Sequence, residues 1–140
     1  MAADLDLVRR LSQAERGLAV VAVARPDATV HASLVNAGVF ESGEGRPDIA
    51  FVARGSARKL DYLRSRGRAT IVFRSGWEWV SVEGPILIIG SEAPDLASLL
   101  RAVFTAAGGT HEDWATFDRV MAEEGRVAVL VAPERIMSNG

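Results

Sequence analysis

Ile49-Ala50-Phe51-Val52-Ala53-Arg54-Gly55-Ser56-Ala57-Arg58-Lys59 reads as a strand, a tight turn and the opening of a helix. The apolar run Ile49–Ala53 has strand length, and Leu60 to Leu63 continue an amphipathic helix beyond Lys59. A helix N-terminus carries free backbone N–H groups and a partial positive charge, so carboxylates are preferred there. Arg58 and Lys59 oppose that preference. A chain that keeps two cations at such a place has a plausible use for them: an anion held at the helix end, phosphate above all. The plain alternative is a solvated helix start, because charge near a helix end is ordinary.

The segments on either side of this stretch are mostly strands. Leu18–Ala24 and Thr29 to Asn36 form a hairpin across the turn-rich Arg25-Pro26-Asp27-Ala28. Before them, Leu5, Val8 and Leu11 recur at helical spacing from about Asp4 to Arg16, and Gly17 is a C-terminal stop. Residues 41–47 read as an exposed loop, Asp48 to Ala53 as the third strand, and Ser56 to Ser65 as a helix with Ser56 as its N-cap. Ala69 to Arg74 is a fourth strand. Trp77 to Gly90 is a long fifth strand, bent or bulged at Gly84-Pro85. On that strand Val80, Val82, Ile86 and Ile88 share one face, and Trp77, Trp79, Leu87 and Ile89 share the other. Apolar residues on both faces predict an interior on one side and a partner surface on the other.

Pro94 opens a helix with the stripe Leu96, Leu99, Leu100 and Val103, ended by Gly108-Gly109. Thr110 and Asp113 read as a capping box for a helix carrying Trp114, Phe117, Val120 and Met121, which stops at Gly125. Arg126 to Ala132 is the last strand, halted by Pro133. Six strands, mostly in hairpin order, outnumber the helices. The fold expected is a single domain over residues 1–140, mainly β with helices (α+β), built as a small antiparallel barrel with helices packed around it.

The chain has 140 residues, of which 49% are hydrophobic and 24% charged, with a net charge of −2 and no cysteine. That is enough length for one core and a composition ordinary for soluble globular proteins. The charge balance gives no electrostatic case for nucleic acid, although Arg54, Arg58, Lys59, Arg64, Arg66, Arg68 and Arg74 make a local basic patch. Without Cys there are no disulfides, Fe–S clusters or thiol chemistry. His111-Glu112-Asp113 has metal-binding residue types, but a His beside acids at a helix start is usually capping chemistry, and two His with no Cys argue against zinc. No Gly-x-Gly-x-x-Gly follows a strand, no Walker motif is present and no Ser–His–Asp arrangement can be argued. No apolar run approaches about 18 residues, so no membrane span is expected. Met1 to Asp6 lack the marks of a signal peptide, and a cytoplasmic location is the default expectation.

Taken in order, the hairpin Leu18–Ala24 to Val30–Val35, the strand–turn–helix Ile49–Lys59, Arg68–Phe73, Trp79–Gly84 and the ending Val131–Ile136 resemble the split β-barrel flavin-binding proteins of the pyridoxamine 5′-phosphate oxidase-like superfamily. Each motif is common alone; their order and spacing carry the likeness, which runs through most of the chain. Gly108–Trp114 and Met121–Arg126 look like the actinobacterial flavin/deazaflavin oxidoreductases of group B, which bind the deazaflavin coenzyme F420. The resemblance implies a six-stranded antiparallel split barrel and a homodimer with cofactor sites at the subunit interface. It implies F420-dependent reduction of an unsaturated small molecule; the alternatives are an FMN-binding protein of the same fold, or a non-catalytic F420- or heme-binding one.

It further implies that Arg58 and Lys59 hold the cofactor phosphate, and that His31, Ser33 and Val35, with Ala50, Phe51, Val52 and Ala53, line the ring and ribityl chain. For Trp79 a barrel or dimer core aromatic competes with a pocket wall. Arg64, Arg66 and Arg68 read as a solvated patch, or as attractors of the cofactor's anionic polyglutamate tail. Pyridoxamine phosphate oxidases end in Arg-Leu-x-Pro-x-Arg, and Leu130 stands where the first, substrate-binding Arg would be. The resemblance therefore points away from vitamin B6 as substrate.

Overall fold

In a computed structural model of the chain, residues 4–43 and 45–140 are described; the expectations for residues 1–3 and for Glu44 within its loop lie outside them. The elements run α1 (Leu5–Ala14), β1 (Leu18–Ala24), β2 (Val30–Phe40), β3 (Asp48–Arg54), α2 (Arg58–Arg66), β4 (Arg68–Ser75), β5 (Glu78–Ile89), α3 (Leu96–Ala106), α4 (Trp114–Glu123), β6 (Arg126–Val131) and β7 (Arg135–Ser138). All ladders are antiparallel. The order β4-β1-β2-β3-β6-β5 closes on itself through β4–β5 pairing, giving a six-stranded barrel, and β7 adds to the outer edge of β5.

Closure depends on how β5 turns. Its first half pairs with β4 and β7, and its second half, Ile86–Ile89, pairs with β6. The change of partner falls at Gly84-Pro85, where sequence predicts a bend. A Cβ on Gly84 would sit 1.7 Å from the Ala132 carbonyl oxygen, so no side chain fits where β5 crosses the β6–β7 junction. β7 escapes the sequence reading because Pro133 interrupts the run and the strand beyond it is short.

The interior is filled by alternate residues of every barrel strand, with Phe51, Phe73, Ile49, Ile71, Val80 and Val82 fully buried. Helix α1 packs on β2, β4 and β5 and inserts Val8 and Leu11 into this core; α2 packs on β1 and β4 and inserts Leu60 and Leu63. A second cluster lies outside the barrel wall, where α3 and α4 cover Ala50, Ala128 and Leu130 with Leu100, Val103 and Phe117.

Two cap expectations are corrected. Helix α2 is capped at Ala57, not Ser56, and no side chain bonds its first N–H groups. Helix α4 is capped by Asp113, which accepts from Thr116 N at 3.2 Å and from the Thr116 hydroxyl at 2.6 Å; Thr110 takes no part in the cap, so the capping box dissolves into a single Asp cap.

Candidate functional site

The barrel is split along one side of β2. Residues 30–36 of β2 pair with β1, but β3 pairs only with residues 37–40. The outer edge of the first half of β2 therefore carries backbone N–H and C=O groups with no strand beside them. The gap opens where Asn36 and Val52 part, and β3 continues past it in partnership with β6.

Helix α2 starts at the open end of this gap, after the turn Gly55-Ser56-Ala57. The turn lies against the α4–β6 connection so closely that a Cβ on Gly55 would come within 2.5 Å of the Gly125 carbonyl oxygen. Four cations converge here. Arg54 and Arg126 are opposite one another on β3 and β6, and both pair with Glu124, at 2.8 and 2.9 Å. Arg58 and Lys59 have no ion pair or side-chain hydrogen bond among the described residues. Lys59 is half-buried, and burial first, then the nearby Arg126 charge, holds its amine below the ordinary lysine value. An uncapped helix N-terminus, an exposed Arg and a partly desolvated Lys together form a site whose charge lacks a counterion.

A cavity of about 290 Å³ occupies the closed end of the gap, lined by Arg16, Asn36, Val52, Phe104, Met121 and Arg126 among others. The C-terminal end of α3 makes its back wall. Helix α3 can lie this close because Gly38 faces the Ala106 carbonyl, which a Cβ would approach to 2.1 Å.

Of the residues expected at the site, Val52 lines the cavity, Lys59 stands near Arg126 of that lining, and Arg58 precedes Lys59 at the start of α2. Others face elsewhere. Alternation on β2 turns His31, Ser33 and Val35 to the barrel interior, so the expected ring-lining face is the inner one. Val35 is a core residue. The His31 ring lies 5.6 Å from that of Tyr62, and its Nδ1 and the Ser33 hydroxyl are buried without a hydrogen-bond partner among the described residues. The backbone N–H and C=O groups of these three lie in the β1 ladder, in step with the bonds Ala37 N to Gly17 O and Arg25 N to Thr29 O on either side, so the groups on the open edge belong to Ala32, Leu34 and Asn36. On β3, Phe51 and Ala53 are likewise inside the barrel, and Ala50 is sealed under α3 and α4.

Trp79 lies on a different surface, with Val20, Val72, Arg74 and Trp77 around a shallow depression on the outer face of β1, β4 and β5. The basic patch is largely consumed within the fold: Arg68 pairs with Glu134 at 2.7 Å, Arg66 donates to the Arg25 carbonyl at 3.0 Å, and Arg64 adds a small part to the lowering of the Glu92 pKa, which the Gly90 N–H donating to that carboxylate chiefly causes. Leu130 is buried in the outer cluster, and Arg135 pairs with Glu83 at 3.0 Å.

Sequence reasoning missed Arg16, Asn36 and Arg126. One signal for this end of the chain was available: Lys59 is the only lysine among 140 residues, the other fifteen cations being arginine. Among the described residues no group of three or more His, Cys, Asp or Glu could hold a metal ion, and no helix is long and apolar enough to cross a membrane.

No family model matches the chain, and no curated protein does. Solved structures do. One described as an F420 reductase superposes with a TM-score of 0.66 at 16% identity, covering 98% of each chain. A pyridoxamine 5′-phosphate oxidase-related, FMN-binding protein from Nostoc punctiforme gives a TM-score of 0.63 at 14% identity, over 94% of this chain and 78% of that one. The heme storage protein HutZ from Vibrio cholerae gives 0.62 at 12% identity, over 98% and 94%. At these identities the likeness shows the fold: the chain has the α+β split-barrel architecture of pyridoxamine phosphate oxidase-like proteins.

Proposed function

We propose that this chain is a coenzyme F420-dependent reductase whose reaction site is the cleft at the barrel split. The observation that carries the reading is the start of α2: an uncapped helix end with two cations lacking a partner among the described residues, at the mouth of a gap bordered by an open strand edge. Those features fit a cofactor with a phosphate at one end and a flat, hydrogen-bonding ring at the other. Lys59 offers a point charge and Arg58 a planar fork, so one phosphate can be held from two directions, with the α2 N–H groups behind it. The free edge of β2 offers donors and acceptors for the ring's polar rim. Reduced F420, when bound, supplies a hydride from C5 of its ring.

The chain's own tasks are holding and shielding. Val52, Phe104 and Met121 give the cavity apolar walls, and its polar lining is Arg16, Asn36 and Arg126 with backbone groups. None of these side chains is an acid suited to protonating a substrate, so the acceptor's double bond takes up the hydride and a proton from solvent. Acceptors of this kind are conjugated: quinones, enones or linear tetrapyrroles.

A second copy of the chain completes the reading. Leu34, Val20, Val72, Ser81 and Met137 lie in one row across β2, β1, β4, β5 and β7. With Leu18 and Trp77 they form an apolar outer face, Trp77 being 93% exposed. A homodimer burying this face would set one subunit's strands against the other's cleft.

FMN would use the same phosphate contacts. Heme has weaker support, because His31 lies beneath Tyr62 on the inner wall, and His111 Nδ1 accepts from Asp113 N at 3.1 Å while its ring packs on Trp114 and Phe117. Parallel titrations with F420, FMN and hemin test the choice. Tightest saturable binding of F420 is expected; preferential binding of FMN or hemin would overturn the F420 reading.

A further inference from the structure

We infer that Arg16 is an anion-recognising residue at the closed end of the cleft, and that the acceptor reduced there is a conjugated compound bearing a carboxylate. The inference deepens the reading above and rests on the cleft being the reaction site.

Four observations converge on Arg16. First, the cavity it lines contains Arg16, Arg126 and Asn36 as its polar side chains and no Asp or Glu. Second, Arg126 is paired with Glu124, whereas the Arg16 guanidinium has no ion pair or hydrogen bond among the described residues. Arg16 is an exposed residue of that lining, and among the described residues its charge is the one there without an ion pair. Third, Arg16 has a φ of 54°, in the left-handed region that costs a non-glycine residue about 1–2 kcal/mol. Gly17 follows with a φ of 81°, so two successive left-handed residues turn the chain from α1 into β1. Glycine would serve at position 16 without strain, and a strained residue beside a cavity points to a use for its side chain. Fourth, the strained backbone is tied to the cavity wall: Asn36 Nδ2 donates to the Arg16 carbonyl at 3.1 Å, and Ala37 N donates to the Gly17 carbonyl at 2.8 Å. The arginine is therefore mounted on a fixed turn beside the point where β2 and β3 part.

The phosphate site and this cation flank the cavity, with Arg126 of its lining standing on the side of Lys59. Arg16 sits beside Asn36 at the closed end, and α2 begins beyond Arg54 at the open end. The molecule meeting Arg16 is, in this reading, a second ligand beside the phosphate-bearing one. Val52, Val103, Phe104 and Met121 supply apolar walls, suited to a flat conjugated body. An arginine fork at the end of an apolar slot selects a carboxylate, which it can bind through two parallel hydrogen bonds.

The test is calorimetric titration of the intact protein with 2-naphthoate and its neutral counterpart 2-naphthamide, using wild type and the variants Arg16→Gln, Arg16→Lys and Arg16→Gly. Wild type should bind naphthoate about tenfold more tightly than naphthamide, Arg16→Lys should keep only part of that preference, and Arg16→Gln and Arg16→Gly should lose it. F420 is titrated into wild type alone, so that cofactor binding is read separately from the anion site. Arg16→Gly should melt no lower than wild type, because glycine accepts the left-handed turn; a purely structural arginine would not lose anion preference while stability holds. No naphthoate preference in wild type, or its survival in Arg16→Gln, overturns the inference. Failure of F420 to bind wild type, with an Arg16-dependent naphthoate preference intact, sinks the reductase reading alone and leaves the anion site supported.

Discussion

Lys59 is pulled in two directions. Its partial burial and the Arg126 charge favour the neutral amine, and an arriving phosphate favours the ammonium. The sign of the pH effect follows. Anion binding needs the protonated form, so affinity for F420 should begin to fall with rising pH before the ordinary lysine value of 10.5 is reached. Lys59→Arg should flatten that decline, because arginine stays charged; a profile identical in both proteins would remove Lys59 from the contact. Stability runs the other way. The folded-state pKa lies below the unfolded one, so in that window the unfolded chain holds more protons and stability rises with pH up to about 10.5.

At this scale the sequence revealed the charges but not their surroundings. Arg58 and Lys59 were legible because they contradict the helix dipole locally. Arg126 was not, because its closeness to Lys59 depends on the pairing of β3 with β6 across a long stretch of chain. His31, Ser33 and Val35 share a face, as alternation requires; which face is the inner one is decided by the curvature of the closed barrel.

Among the elements, β5 and the two helix starts invite direct tests. Gly84→Ala forces a methyl group against the Ala132 carbonyl, and the fixed β6–β7 junction has little room to yield. We expect a loss of about 3 kcal/mol in urea denaturation, or failure to fold. Asp113→Ala should cost about 1 kcal/mol by removing the α4 cap. Ser56→Ala should change stability by less than about 0.5 kcal/mol, since Ser56 does not cap α2. Equal losses for the two would mean that α2 is capped by Ser56 after all. The strand cores were readable from β-branched runs, and β1 runs over Leu18–Ala24 as expected. The last turn of β2 was not, because Ala37 and Gly38 have little strand propensity. They are small because α1 and α3 press on them: Ser12 donates to the Ala37 carbonyl at 2.8 Å, and Gly38 meets the end of α3.

For the whole molecule, the apolar outer row is the feature a lone chain leaves unexplained. Sequence anticipated an apolar outer face from a strand apolar on both faces, and the barrel turns Val80 and Val82 inward while Trp77 stays exposed in the row; Leu87, also exposed, lies beyond the Gly84-Pro85 bend opposite Leu130 of β6 and outside the row. Val20 sits within the row, paired with Leu34 on one side and Val72 on the other. Light scattering should report a dimer, and Val20→Glu should convert it to a folded monomer with weakened F420 binding, because a charge cannot be buried there without a partner. A wild-type monomer that binds F420 fully would dismiss the shared-site arrangement.

The central claim is that the cleft holds a phosphate-bearing deazaflavin at the start of α2. Its most direct test is a fluorescence titration of F420 into wild type and Lys59→Ala at neutral pH. Wild type should bind saturably and the variant should lose about 1–3 kcal/mol, roughly fivefold to a hundredfold or more in Kd. No saturable binding to wild type, or equal affinity in the two proteins, would contradict that claim.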